Sequence, residues 1–294
     1  MNRRKFIGFT SSAVIIAGIT YVLGDTTSIV RDDLRPIQPN GFLKADERKI
    51  LYLASLAPSS HNTQPWFIQR LEPMHWIICN DSSRWLPVVD PLQRETILSI
   101  GAFIQNLQFA AESLGYVCLF TLLASKNQDK NVMKVILIRS GKPFSYDITR
   151  ITHRRTVRSK LLTEKLSRED LKFFTHNEND FINFIPRSDR ICQYINEQTI
   201  EANRIQSNRN LTQKELADWM RLSNKDAVQH RDGLSTASME IEGLSGWVVR
   251  NFYNESDVMS KSFRDQTIKK TVETPTAEKK VNSYLAELGL NNIM

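Results

Sequence analysis

"DPLQRETILSIGAFIQNLQFAAESLGY", residues 90–116, constrains the fold more than any other stretch of this chain. Ile97, Ile100, Gly101, Ile104, Leu107, Ala111 and Leu114 recur at the spacing of one helix face. The apolar face is wide, and such a helix is stable only where other elements cover most of it. It therefore belongs near the centre of a fold. Asp90 suits the N-cap, Pro91 the first helical position and Gly115 the stop. Gly101 and Ala102 are small enough to admit a second backbone or a ligand.

The neighbouring segments supply the cover. "LKADERKILYLASLA" (43–57) places Ile50, Leu51, Leu53, Ala54 and Leu56 on a helical stripe, and Pro58 follows as a stop. "WFIQRL" and "HWIICN" read as two strands joined by a turn at Glu72–Met74. "YVCLFTLL" and "VMKVILIRS" read as two more. The order to about Phe144 is helix, strand, strand, helix, strand, strand, which is an α+β layout. A second unit opens near "ITHRRTVRSKLL" (151–162). "LSREDLKFFTH" carries an N-cap signature in Ser167 and Asp170, "DFINFIP" is strand-like, and the remainder is mostly helical. Residues 1–24 form a leader, 25–42 a linker, 43–148 a first half and 149–294 a second half. The broad layout of the halves is similar, as a distant duplication predicts.

At 294 residues, 41% hydrophobic and 24% charged, the chain reads as globular. Its net charge of +7 suits an anionic ligand or a membrane surface and is too diffuse to argue nucleic acid. "LTQKELADWMRLSN" mimics the first helices of a helix-turn-helix, whose geometry also needs a second helix in the major groove; a turn glycine is missing and an exported location argues against DNA contact, so no nucleic-acid partner is expected. Cys79, Cys118 and Cys192 are far apart and show no metal-ligand spacing, so free thiols and no metal site are expected.

"MNRRKFIGFTSSAVIIAGITYVLG" opens with Arg3 and Arg4, then runs apolar from Phe6 to Leu23. It looks like a twin-arginine export signal, which makes the twin-arginine translocase a partner. No small-x-small cleavage pattern is clear near Gly24, so the leader also reads as an uncleaved anchor. Either form puts the folded part in the periplasm or on the outer face of the inner membrane.

"LAPSSHNTQPWFIQRL" (56–71) gathers short hydrogen-bonding side chains between a helix and a strand. Such residues make ordinary turns. Ser59, Ser60, Asn62 and Gln64 also donate and accept, and no acid sits among them, which favours a heterocycle with mixed edges over a metal. His61 reads either as a substrate contact or as an ordinary loop histidine. Trp66 reads as core packing, and Arg94 as a helix-surface charge. Arg154, Thr156 and Arg158 alternate, so on an extended segment they share one face, with Arg155 opposite. Two guanidiniums and a hydroxyl together make a phosphate clamp. The combination describes a mononucleotide site without a glycine-rich phosphate loop.

"LAPSSHNTQPW", the helix at 90–116 and "THRRTVRSKLL" together resemble the nitroreductase superfamily, and within it the Acg-like branch, in which one chain holds two nitroreductase-like halves. The resemblance covers residues 45 to 165 well and the rest loosely. It implies an FMN-binding α+β fold, a nitroreductase dimer fused into one chain. It also implies that Pro58, Ser59, Ser60, Asn62 and Gln64 line the isoalloxazine while Arg154, Thr156 and Arg158 hold the phosphate. The flavin then carries the chemistry and no protein nucleophile is needed. Electrons pass from NAD(P)H, or outside the cytoplasm from a protein or quinol donor, to a small-molecule acceptor such as a nitroaromatic or quinone. Members usually continue into a further strand and long helix. Here "TPTAEKKVNSYLAELGLNNIM" stands in that place, so an incomplete second half is expected. A catalytically silent flavin-binding or flavin-sequestering protein on the same scaffold is the alternative.

Overall fold

A computed structural model describes residues 24–31, 43–142, 146–158, 166–175, 184–186 and 188–273. The leader, most of the expected linker, Lys160, the front of "DFINFIP" and the segment from 274 onward lie outside the described residues.

Period-two alternation builds the first half. β1 (Trp66–Glu72) and β2 (His75–Asn80) form a hairpin across a turn in which Met74 has a φ of 65°. β3 (Tyr116–Leu122) and β4 (Asn131–Arg139) form a second hairpin. The two join through β2 and β4 in one antiparallel sheet of order β1-β2-β4-β3. Trp76 sits opposite Val135, which in turn faces Phe120 on β3. Trp76, Ile78, Val135 and Leu137 are buried on the inner face. Against it lie α1 (Ala45–Ser55) and α2 (Arg94–Ser113), which bring Ile50, Leu53, Ile100, Phe103 and Leu107 into the same core. This is a mixed α+β half with helices on one face of the sheet.

α2 begins at Arg94, later than its capping residues suggest. Gln93 occupies the cap position in the left-handed region, with φ 54°. Asp90 still serves the helix start, because its carboxylate accepts from the main-chain N of Arg94 (2.8 Å) and of Thr96 (3.0 Å). Pro91 therefore lies in the turn before the helix and not at its first position. At the other end Gly115, with φ 80°, terminates the helix. Gly101 faces open space and is not a point of close backbone approach.

The described part of the second half is mostly helical. α3 (Thr149–His153), α4 (Arg168–Thr175), α5 (Arg190–Asn208), α6 (Asn210–Asp218), α7 (Asn224–His230), α8 (Gly243–Phe252), α9 (Glu255–Met259) and α10 (Lys261–Glu273) follow in order. Ser167 and Asp170 exchange the reciprocal bonds expected of an N-terminal box (3.1 and 2.7 Å). A smaller core of Ala217, Leu222 and Val258 holds the α6–α9 region together. β5 (Met220–Arg221) and β6 (Leu234–Ser235) make a two-residue parallel bridge. Among the described residues this half has no second four-stranded sheet. In the helix-turn-helix-like stretch, β5 separates α6 from α7, so the two helices are not joined by a tight turn. Also among the described residues, no helix is long and apolar enough to cross a membrane. Cys79 and Cys192 are buried, Cys118 is half-buried, and all are free.

Candidate functional site

The loop after α1 adopts a backbone that few sequences tolerate. His61, Asn62 and Gln64 all have positive φ (48°, 52° and 52°). Left-handed non-glycine residues persist where surrounding contacts over-determine them. Here the contacts are dense. Ser59 Oγ accepts from the Gln64 main-chain N (3.0 Å), and Thr63 O accepts from Arg84 Nη1 (2.8 Å). Ser60 Oγ donates to the Glu95 carboxylate at the start of α2. Pro58 is half-buried at the loop's start.

The outer side of the loop meets the second half. Asn62 Nδ2 donates to Gly233 O (3.1 Å), and Gly233 N donates back to Asn62 O (3.1 Å). Gln64 Nε2 donates to Arg231 O (2.9 Å). Between them Asp232 accepts from Arg221 Nε (3.0 Å) and Nη2 (2.8 Å) on one oxygen, and from Arg84 Nη1 (3.0 Å) on the other. One carboxylate thus ties an arginine of each half together, beside the loop. A second tie is made by Glu215 on α6, whose two oxygens accept from the main-chain N of Val88 and Val89 (both 2.9 Å).

The arginine segment arrives at the same place. Arg154 Nε and Nη2 both donate to Leu56 O (3.3 Å each), two residues before Pro58. Arg158 Nε donates to Ser238 O (3.1 Å), and its main-chain N donates to a Glu240 carboxylate oxygen (3.0 Å). Thr156 is half-buried between them, and Arg155 is exposed. The 154–158 segment is not a strand, and its arginines reach different neighbours, so it is not the flat one-faced array that alternation suggests.

His61 lies where these segments converge. Burial holds its pKa below the usual histidine value. The charge of Glu95 pulls it up, and that of Arg158 pushes it further down. Its Nδ1 is buried without a hydrogen-bond partner among the described residues. An orphaned buried polar atom is unusual and marks a place where a group is missing from the hydrogen-bond accounting.

Thus Ser59, Ser60, His61, Asn62, Gln64, Arg154 and Arg158 are brought together. Sequence reading misses Glu95, Arg231, Asp232, Gly233, Ser238 and Glu240, which close the same region. Only the Asp232–Gly233 pair carries a local signal, that of a turn. The acid-free appearance of the loop does not survive folding, since the Glu95 carboxylate accepts from Ser60, while Glu240 meets the arginine segment. Trp66 packs against Phe103, with ring centroids 5.1 Å apart, as core. Among the described residues no cluster of His, Cys, Asp or Glu could hold a metal ion. No family model matches the chain, and no curated protein matches it.

Proposed function

We propose that the chain is an exported, FMN-dependent oxidoreductase of nitroreductase type, passing electrons to nitroaromatic- or quinone-like acceptors. The observation that supports this most is the convergence of three segments remote in sequence: the 58–64 loop, the arginines at 154 and 158, and residues 231–240. At their centre is His61, whose buried Nδ1 has no partner among the described residues.

The donor chemistry suits FMN. Arg154 and Arg158 are cationic; Arg154 donates to Leu56 O and Arg158 to Ser238 O, neutral main-chain carbonyls that a phosphate outcompetes as an acceptor. Asn62 and Gln64 use their amide N–H groups on Gly233 and Arg231, which turns their amide oxygens into oriented acceptors. With its pKa held down, His61 is neutral at pH 7 and offers one donor and one acceptor nitrogen. Ser59 and Ser60 hold the loop's shape through Gln64 and Glu95, so they act by positioning. Bound FMN would supply hydride and electron transfer; the protein orients the ring and tunes it by hydrogen bonding.

A second reading has its own support. Asn62, Gln64 and both arginines each already spend N–H donors on carbonyls of the chain, as in a scaffold that has closed its own pocket. That reading is a silent flavin-binding protein. The visible spectrum of the purified full chain separates them. Flavin bands that bleach with a reductant and return on adding a quinone or nitroaromatic carry the oxidoreductase. Flavin bands that no acceptor restores carry the silent binder, and colourless protein that takes up no FMN defeats both.

A further inference from the structure

Residues 25–31 follow the apolar leader and are tied down along their length. Arg250 on α8, only 5% exposed, donates from Nε to Asp25 O (3.1 Å), from Nη2 to Thr26 O (2.8 Å) and from Nη1 to Ser28 Oγ (2.7 Å). Asn251 Oδ1 accepts from Asp25 N (2.9 Å). Asn224 Nδ2 donates to Thr27 O (2.8 Å), and its Oδ1 accepts from Ile29 N (3.2 Å). Ser28 Oγ bonds Thr236 Oγ1 (3.1 Å), and Arg31 Nη2 reaches Thr152 O (2.9 Å). The chain after the leader is therefore a strap fixed to α8.

α8 carries exposed apolar side chains on the side away from its buried face. Gly246 and Arg250 face inward. Leu244, Trp247, Val248 and Phe252 follow the spacing of the opposite face. Leu244 is 71% exposed, Phe252 54% and Tyr253, just past the helix, 40%. Trp247 and Phe252 meet edge to face, 5.2 Å apart.

The two observations combine through chain length. The apolar run ends at Leu23, and Asp25 is pinned to the last turn of α8. Two residues span at most about 7 Å. A headgroup layer is about 6 Å deep on each side of the hydrocarbon. If the apolar run enters a bilayer, the last turn of α8 has nowhere to lie but in or against the headgroups. Leu244, Phe252 and Tyr253 are exposed and Trp247 half-buried beside them, and Trp, Tyr, Phe and Leu are the side chains that favour that layer. We infer that the outward face of α8 is a membrane-contact surface, and that the strap seats the folded body on the bilayer with this face down. The inference is independent of flavin binding.

The test uses the full chain, leader included, in phosphatidylethanolamine–phosphatidylglycerol vesicles with and without brominated acyl chains. Brominated lipid is expected to quench part of the tryptophan emission, and Trp247→Phe is expected to remove that part. Leu244→Ser with Phe252→Ser, or a Gly/Ser spacer of about ten residues between Leu23 and Gly24, should leave the chain on the vesicles but abolish the quenching. The spacer variant leaves the folded body untouched, so it reads out even where a substitution in α8 does not fold. Quenching unchanged by Trp247→Phe and by the spacer overturns the inference, whether a second copy or the leader itself covers α8. Release of the wild-type chain from vesicles by alkaline carbonate overturns it as well.

Discussion

Asp232 shows how much one side chain carries here. Its carboxylate is 11% exposed and is shared by Arg221 and Arg84, from different halves. Removing Asp232 leaves the buried Arg221 guanidinium without a carboxylate, while Arg84 keeps Asp81 (3.6 Å); breaking such a buried pair costs about 3–5 kcal/mol. Asp232→Ala should lose stability on that scale in urea unfolding, and a loss below about 1 kcal/mol contradicts the bridging role. Glu47 on α1 makes a second prediction. Its side chain is 0% exposed. Burial pushes its pKa up, but the main-chain N–H groups of Met74 and Lys44, with Arg70, outweigh burial and hold it below the usual value. A carboxyl lowered in the folded state stabilises fully above its unfolded pKa of about 4.3. That stability is lost as pH falls through the lower folded value. The acid limb of stability against pH should therefore be shallower for Glu47→Gln than for wild type. Equal slopes contradict it. Neither residue is legible in sequence, because Glu47 looks like a surface helix position and Asp232 like a turn acid.

At the scale of elements, the first half was readable because local period and tertiary burial agree. The alternation in "HWIICN" is the alternation of buried Trp76 and Ile78, and the stripe of α2 meets the sheet. The start of α2 was misread because Gln93, in the left-handed region, takes a cap position that composition assigns to Asp90. The site was half legible. Polar loop and arginines each carry a local chemical pattern. Their third wall, residues 231–240, carries none beyond a turn signal, since its role depends on contacts such as Gln64 with Arg231 that only the fold creates. Gly233 tests that wall. It has φ +73°, and a Cβ there would lie 2.4 Å from Trp219 O and touch Arg221. Gly233→Ala should cost about 1–3 kcal/mol from backbone strain, with the clash in addition. It should also speed hydrogen exchange at the Gly233 position and at Leu234, whose N–H donates to Trp219 O (2.8 Å). Unchanged exchange there contradicts the account.

At the scale of the molecule, the described parts of the two halves differ, one built on a sheet and the other mostly helical, and the contacts between them are polar. The sheet and its helices form one core, the α6–α9 region another, and between them run the Asn62–Gly233, Gln64–Arg231, Asp232–Arg84 and Glu215–Val88 contacts. The candidate site lies along that joint, so a ligand bound there would add contacts to both halves and raise the melting temperature with its concentration. The most direct measurement is a fluorescence titration of the full chain with FMN, wild type beside Arg154→Ala with Arg158→Ala. Each lost charge-assisted bond is worth about 1.5–3 kcal/mol, so the account predicts one FMN per chain for wild type and affinity weaker by at least about tenfold in the double variant. Equal affinities in the two proteins, or no uptake by the wild type, would contradict it.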